Sequence, residues 1–268
     1  MKRTKVCIAV VMALLISLEG CGQGSGRFRV LDTMSNEEFV VGFRKDDRLG
    51  VYAEAGLQVL AARGKLTELS LKWFGKDITL LDGDENALDE YKDKIPEREF
   101  IVGYDEGAPP VSFRSEEGNL TGFDIELAGE LCTLLGWSIK LLDINPANVI
   151  VELSSGNIDC AWGGMSFSPE QLSEIDISSP YLKNRKELVT ISGSGVMTKG
   201  GLRRKEVGMT YDFASLEALE GDPISEKISS YTQYKSTEDC IKALEEGVCQ
   251  GIIIDSLAVE YYANRYGN

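Results

Sequence analysis

The segment Ser155-Gly-Asn-Ile-Asp-Cys-Ala-Trp-Gly-Gly-Met-Ser-Phe-Ser-Pro-Glu170 holds the clearest structural pattern in the chain. Residues 158–163 form a short apolar run with turn-forming glycines on both sides, which is typical of a buried strand. Pro169 then marks the beginning of a helix over residues 169–173. A buried strand followed by a helix is the repeating unit of α/β proteins, so the segment predicts that fold class.

The same alternation continues on both sides of this segment. Strands are predicted at residues 39–44, 100–104, 139–142, 158–163, 187–191, 206–209 and 251–254. Helices are predicted at residues 47–63, 66–74, 147–153, 169–173, 214–219, 237–246 and 256–264. A further helix is expected to begin at a capping Asp124 and to end at Gly136. Residues 77–99 are rich in Asp and Glu, and we interpret them as a solvated linker.

Composition excludes several classes of function. The chain has 268 residues, a formal net charge of −15 and no histidine. The negative charge argues against a nucleic-acid partner, because binding to the phosphate backbone needs clustered Lys and Arg. The lack of histidine excludes Ser-His-Asp and Cys-His catalysis and nearly every catalytic zinc site. We therefore expect no metal and no cofactor, and a protein that is not an enzyme.

The first twenty residues have the pattern of a bacterial signal peptide. A basic start is followed by an apolar run over residues 6–18, which is too short to span a bilayer of ~30 Å as a helix. The run ends in Leu-Glu-Gly-Cys21, similar to a lipoprotein cleavage site, so Cys21 is expected to carry a lipid anchor. The alternative is an ordinary secretory signal followed by a chance cysteine.

Four further cysteines follow, at positions 132, 160, 240 and 249. Cys240 and Cys249 flank a predicted turn between a helix and a strand, so a local disulfide is geometrically possible. For Cys132 and Cys160, buried free thiols and a bridge remain equally open.

Several spaced blocks resemble one family. They are Val-Gly-Tyr104-Asp105, Gly-Asn-Leu-Thr-Gly-Phe-Asp124, the segment quoted above, and Ile-Asp-Ile-Ser-Ser-Pro-Tyr181. In this order they resemble the first lobe of the extracytoplasmic solute-binding proteins of family 3, which serve amino-acid ABC importers. Three later blocks resemble the second lobe of these proteins: Gly-Met209, residues 243–247 and residues 251–255. The resemblance implies an α/β, two-lobed periplasmic-binding-protein-like fold of type II whose lobes are joined by a hinge.

The order of the blocks differs from that of the family. Residues 36–47 and 64–75 resemble the carboxyl-terminal end of these proteins, although here they precede the usual beginning. We therefore expect a circularly permuted chain, with residues 1–20 as signal peptide and residues 21–36 as tether and first strand of lobe 2. Lobe 1 would cover residues 37–185, made of the segments 37–76, 77–99 and 100–185, and lobe 2 residues 186–268. Two interrupted gene halves joined by accident are the alternative.

The resemblance also implies a ligand site between the lobes. Asp255 stands at the position of the aspartate that binds the ligand's ammonium group, although it could also cap the helix that follows. Gly164 stands at a position whose backbone carbonyl contacts the ligand's ammonium group in this family. Ser166 stands at a position whose backbone amide and hydroxyl contact the ligand's carboxylate. Phe213 and Ala214 stand where lobe 2 offers amides at the beginning of a helix.

One position departs from the family pattern. Gln171 stands where these proteins have the arginine that pairs with the ligand's carboxylate. Either amides and Gln171 alone hold a carboxylate, or the ligand has no free α-carboxylate. Tyr104, Asp105 and Trp162 are further candidates for the pocket, and a core position is an equally good interpretation of Trp162.

The expected function is that of a lipid-anchored receptor on the extracytoplasmic face of the bacterial cell membrane. It would bind a small amine-bearing solute, an amino acid or a derivative, and deliver it to the permease of an ABC importer. A dehydratase-like enzyme with Asp105 or Glu106 as general acid, or a sensor that transports nothing, are the alternatives.

Overall fold

The structure is a computed structural model that describes residues 24–266. The predicted signal peptide and Cys21 lie outside the described residues. Within residues 24–266, no helix combines the length and the apolar character that a membrane span requires.

Thirteen strands and eight helices alternate along this part of the chain. The strands are β1 (Gly24–Ser25), β2 (Phe28–Phe39), β3 (Gly42–Arg44), β4 (Glu99–Tyr104), β5 (Phe113–Arg114), β6 (Leu120–Thr121), β7 (Ser138–Asp143), β8 (Cys160–Ala161), β9 (Ile175–Ile177), β10 (Leu182–Ile191), β11 (Glu206–Thr210), β12 (Ser230–Tyr234) and β13 (Gly251–Asp255). The helices are α1 (Arg48–Ala62), α2 (Lys65–Phe74), α3 (Phe123–Leu135), α4 (Val149–Ser154), α5 (Pro169–Glu174), α6 (Phe213–Glu220), α7 (Thr237–Glu245) and α8 (Ser256–Tyr266).

Two large sheets divide the molecule into two lobes, as expected. Lobe 1 is built on a five-stranded sheet in the order β7-β4-β8-β3-β9, and lobe 2 on a six-stranded sheet in the order β1-β2-β10-β13-β11-β12. In lobe 1, helices α1, α2 and α3 bury their apolar faces in one core against this sheet. In lobe 2, separate apolar clusters contain residues of α7 with α8 and residues of α6. The α/β fold class is confirmed.

The hinge consists of two long strands that run side by side. β2 and β10 pair antiparallel over their full length, from Leu182 opposite Phe39 to Ile191 opposite Phe28. After Phe39 the chain passes into β3 of lobe 1, and it returns from lobe 1 just before Leu182. The predicted strand over residues 39–44 is therefore wrong as one strand, because the chain changes sheets between β2 and β3.

The lobe 1 strand predicted at residues 158–163 is shorter than expected. Only Cys160 and Ala161 pair, parallel to β4 on one side and antiparallel to β3 on the other. The backbone then turns at Gly163 and Gly164, which both have positive φ. Asp124 does not cap α3: Gly122 stands at the cap position, and the Asp124 side chain is buried.

The acidic segment is not simply a solvated linker. Its acidic side chains are mostly exposed, but its apolar side chains pack against the lobe 1 core. Tyr91 meets Tyr52 edge to face, with ring centroids 5.6 Å apart, and the Trp137 indole donates to the Pro96 carbonyl at 2.9 Å. Thr79 also forms a bridge with Leu182 at the hinge. The segment is therefore part of lobe 1.

The four cysteines of the described chain are buried free thiols. The local disulfide that the sequence allowed between Cys240 and Cys249 is not formed. Burial raises the pKa of Cys132 to about 12 and that of Cys249 to about 11, so neither is a reactive thiolate at neutral pH.

Candidate functional site

A cleft lies between the two lobes. It contains a cavity of about 340 Å³ that is lined from both sides, and a wider cavity of about 860 Å³ shares part of its wall. The lobes touch across it, because the Thr237 amide at the start of α7 donates to the Gly107 carbonyl at 3.2 Å. A cavity of this size accommodates an amino-acid-sized molecule.

Six of the predicted site residues line the smaller cavity together. They are Asp105, Gly164, Ser166, Gln171, Phe213 and Asp255. The other three do not line either cavity. Trp162 and Tyr104 are 1% and 3% exposed and lie in the lobe 1 interior, and Ala214 is buried at the beginning of α6.

On the lobe 1 wall, a tight turn places Gly164 against the cavity. Gly164 has a φ of +67°, and a Cβ at this position would come within 2.6 Å of the Val111 side chain. Its amide donates to the Asp124 carboxyl at 2.8 Å, and the Tyr181 hydroxyl donates to the same carboxyl at 2.8 Å. Burial raises the pKa of Asp124 to about 7, although both hydrogen bonds act against this rise. A buried acid thus holds the turn that forms the wall.

Two other lobe 1 side chains make hydrogen bonds within the protein. The Ser166 hydroxyl donates to Glu37 Oε1 at 2.7 Å. Gln171 and Ser168 form a reciprocal cap at the start of α5: Ser168 N donates to Gln171 Oε1 at 2.8 Å, and Gln171 N donates to Ser168 Oγ at 3.2 Å. The local sequence Ser-Pro-Glu-Gln explains this capping box.

Asp105 lies on the same wall, in the loop after β4. The Gly107 amide donates to Asp105 Oδ1 at 2.9 Å. Burial raises the pKa of Asp105 to about 6, and the carboxylates of Asp143 and Asp212 act in the same direction. Asp105 is therefore an acid with an unusually stable proton at the edge of the cleft.

On the lobe 2 wall, Asp255 ends β13 at the carboxyl edge of strands β11 and β13, where α/β folds place their ligands. Its Oδ1 accepts hydrogen bonds from the Asn184 amide and from Lys186 Nζ, the latter at 2.9 Å. Asp212 caps α6 by accepting from Ser215 N at 2.7 Å. The expected amides at the beginning of α6 therefore lie beside a carboxylate of the chain itself.

The residue that sequence reasoning missed is Lys186. It lies on β10 directly opposite Asp255 and is only 2% exposed. Its Nζ lies 2.9 Å from Asp255, 3.2 Å from Asp212 and 3.8 Å from Glu37. Asn184 and Thr190 are buried on the same strand, so no apolar pattern in the sequence marks Lys186 as an exception.

The charges of this cluster depend on one another. Burial alone disfavours the charged form of Lys186, but Asp212, Asp255 and Glu37 outweigh it and hold the pKa of Lys186 well above its ordinary value. Burial also raises the pKa of Glu37, and Lys186 only partly offsets this. Asp212 is buried as well, but Lys186 and the hydroxyls around it lower its pKa.

Comparison with known proteins supplies the family. The family model of bacterial extracellular solute-binding proteins, family 3, matches residues 100–250, which is more than half of the chain. The chain is similar to the arginine-binding extracellular protein ArtP of Bacillus subtilis, with 25% identity over 166 residues, 62% of this chain and 64% of that protein. It is also similar to the L-cystine-binding protein TcyJ of Escherichia coli K12, with 27% identity over 181 residues, 65% of this chain and 64% of that protein.

Comparison with solved structures supports the same family. A substrate-binding protein from Streptococcus pneumoniae with bound histidine superimposes with a TM-score of 0.59 at 25% identity, over 68% of this chain and 74% of that one. The L-arginine-bound protein Tv2483 gives a TM-score of 0.55 at 27% identity, over 64% and 70%. The chain spans slightly less than two thirds of the two curated relatives named above. By its sequence and its two-lobed fold, the chain belongs to the bacterial extracellular solute-binding proteins of family 3.

Proposed function

We propose that this protein is a receptor for a small amine-bearing solute, which it holds between its lobes and delivers to the permease of an ABC importer. The observation that carries this proposal is the cavity between the lobes, with Asp255 at a strand end on one wall and Gly164 at a glycine turn on the other. The relatives support it, because those named above bind arginine, cystine and histidine. Closure around the ligand is the usual way in which two-lobed receptors act.

The proposal includes a location. The signal-like residues 1–20 and Cys21 support attachment by a lipid to the extracytoplasmic face of the bacterial cell membrane. Labelling of cells with a radioactive fatty acid tests this, and the label is expected on the wild-type chain and absent from a Cys21→Ser variant. Release of the unlabelled wild-type protein into the medium would instead support an ordinary secretory signal.

We further propose that the chain is circularly permuted. β3, from the segment that resembles a family carboxyl terminus, pairs with β8 and β9 inside the sheet of lobe 1. The family model begins at residue 100, although residues 28–75 contribute strands and helices to both lobes. A permuted chain explains why a comparison in sequence order covers only part of it.

The enzymatic alternative rests on one observation. Asp105 is a half-buried acid with a pKa of about 6 beside the cavity, which is suitable for a general acid. The chain also shares 30% identity with the cyclohexadienyl dehydratase of Pseudomonas aeruginosa, over 82 residues, 31% of this chain and 31% of that protein. Release of water from a cyclic acid by the purified chain, and its loss in Asp105→Asn, would favour this alternative.

The receptor proposal is tested by a thermal-shift screen of the full chain against amino acids, amines and dipeptides. A solute present at about 100 times its Kd stabilises the folded state by about 2.7 kcal/mol, so a binder is expected to raise Tm measurably. Asp255→Asn is expected to abolish this rise, whereas Asp222→Asn, a carboxylate of lobe 2 outside the cavity, leaves it unchanged. If no solute raises Tm, or if Asp255→Asn responds like the wild type, the proposal fails.

A further inference from the structure

The side chains expected to receive a ligand's carboxylate carry no positive charge. A serine hydroxyl has one proton to donate, and Ser166 gives it to Glu37 Oε1. Gln171 has no charge; its carbonyl oxygen accepts from Ser168 N, and its neutral amide nitrogen is the group that remains to donate. The lobe 1 wall of this cavity therefore offers a carboxylate no cation, and the donors that it does offer are neutral.

Within residues 24–266, two lysines line the cavity. They are Lys186 and Lys235, both from the lobe 2 side. An ammonium group has three protons to donate, and three carboxylates surround Lys186. The charge of Lys235 partly offsets the burial that raises the pKa of Asp105. Lys186 is thus already paired with carboxylates of the chain, whereas Lys235 is an exposed side chain of lobe 2.

Carboxylates, by contrast, are in excess. Glu37, Asp212 and Asp255 carry three acidic groups against the single charge of Lys186. Asp255 accepts from Asn184 and Lys186 through Oδ1. Asp105 likewise accepts through Oδ1, and its Oδ2 has no donor from the described chain. Two carboxyl groups, Asp105 from lobe 1 and Asp255 from lobe 2, therefore line the same cavity.

We propose that the cleft selects an amine without an α-carboxylate, whose ammonium group binds Asp255 and whose second donor group binds Asp105. An α-carboxylate would lie close to the carboxylates of Asp105, Asp212 and Asp255, with no cation on the lobe 1 wall, and the juxtaposition of like charges is costly. Linear diamines, guanidino amines and imidazole amines have this chemistry. The inference rests on the proposed function, because it assumes that the ligand lies in the cleft.

Four pairs of compounds that differ only in the α-carboxylate test the inference. They are L-arginine and agmatine, L-lysine and cadaverine, L-ornithine and putrescine, and L-histidine and histamine. Calorimetric titration of the full chain is expected to show at least one amine that binds tenfold or more tightly than its amino acid, and no pair with the opposite order. An amino acid that binds as tightly as its amine, or failure of all four amines to bind, overturns the inference.

The two proposals fail in different ways. If an amino acid binds and Asp255→Asn removes that binding, the receptor function stands while the carboxylate-free ligand class falls. If none of these eight compounds and no compound of the wider screen binds, the receptor function falls as well.

Gln171→Arg provides a variant with a defined direction. An arginine at this position supplies a bidentate cation for a carboxylate, so the amino acid of each binding pair is expected to gain at least tenfold relative to its amine. Gln171→Met is the matched control, because it removes the amide and the cap without adding charge, and it is expected to keep the preference for the amine. An unchanged ratio in a folded Gln171→Arg variant contradicts the inference.

A second variant, Asp105→Asn, tests the inference without changing the hydrogen bonds that cap α5. It retains an acceptor for the Gly107 amide but removes the charge on the lobe 1 wall. Binding of the diamine is expected to weaken at least tenfold, whereas binding of a monoamine of the same length changes little. Equal losses for diamine and monoamine would contradict a contact between Asp105 and the second donor group.

Discussion

At Lys186 the chain buries an ammonium group together with the carboxylate that the family resemblance assigns to the ligand. The partners come from three further segments, at Glu37, Asp212 and Asp255, which the fold brings within 4 Å of one nitrogen. The four residues have no characteristic spacing in the sequence, so no sequence motif predicts the cluster. Asp255, Gly164 and Ser166 could be predicted, because each stands within a motif, but the partners that occupy Asp255 and Ser166 could not.

Removal of Lys186 tests the electrostatics of this cluster. Lys186→Met leaves three acidic groups without their cation, and loss of one partner of a buried ion cluster costs about 3–5 kcal/mol. Lys199→Met is the matched control, since Lys199 pairs with Asp32 and Asp222 at a more exposed site, where about 0–1 kcal/mol is expected. The free energy of unfolding in urea measures both, and equal values for the two variants would contradict the assigned role of Lys186.

Asp124 predicts a dependence of stability on pH. Its pKa rises from 3.8 to about 7 on folding, mainly through burial, so the folded state holds this proton more tightly than the unfolded state. The contribution of Asp124 is therefore full below about pH 4 and is lost as the pH rises through about 7. The free energy of unfolding is expected to fall less between pH 5 and pH 8 in Asp124→Asn than in the wild type.

Asp222→Asn is the control that assigns this pH dependence of stability to Asp124. Burial would raise the pKa of Asp222, but the charge and hydrogen bond of Lys199 and a hydrogen bond from the Ile224 amide outweigh it and lower that pKa, so the contribution of Asp222 changes only at acidic pH. Asp222→Asn should keep the wild-type difference between pH 5 and pH 8. An identical difference in all three proteins would show that Asp124 does not carry the dependence.

At the scale of elements, most helices follow from apolar periodicity and from glycines at their ends. α2 ends at Gly75 and α3 at Gly136, both with positive φ, as their sequences predict. β12 was not predicted, because its sequence Ser-Tyr-Thr-Gln-Tyr is half-exposed at a sheet edge and lacks a continuous apolar run. The acidic segment was misread for the converse reason: its few apolar residues are diluted by charge, although they are the ones that pack.

Tyr91 tests whether the acidic segment is part of lobe 1. Tyr91→Ala removes a ring that packs on Tyr52 and on the core, and a partly buried aromatic side chain contributes about 1–2 kcal/mol. Asp93→Ala, an exposed position two residues away, should change stability by less than about 0.5 kcal/mol. Equal and negligible changes in urea denaturation would show that the segment is a free linker.

At the scale of the whole molecule, the two-lobed architecture could be predicted only through the resemblance. Composition and periodicity indicate α/β structure, but they do not assign strands to one sheet or the other. The antiparallel pair of β2 and β10 depends on contacts between residues about 150 positions apart, from Arg185 opposite Asn36 to Ile191 opposite Phe28. Local patterns carry no information about such pairing.

The proposed permutation predicts that the family's order can be restored. α8 contacts β1, so a short glycine-serine joint from the end of α8 to residue 24 would close the chain, with a new cut at residues 85–86 in an exposed turn. The rearranged protein is expected to fold, with a Tm within a few degrees of that of the original, and to bind the same solute. A rearranged chain that expresses without folding would contradict the proposed relation of the two ends.

The central claim is that a solute is held between the lobes, and one crystal structure tests it most directly. The full chain would be crystallised with the compound that raises its Tm most. The account predicts that this compound lies in the cleft, with a nitrogen in contact with Asp255 and a second donor in contact with Asp105. A compound bound outside the cleft, or one in the cleft whose nitrogen avoids Asp255, would contradict it.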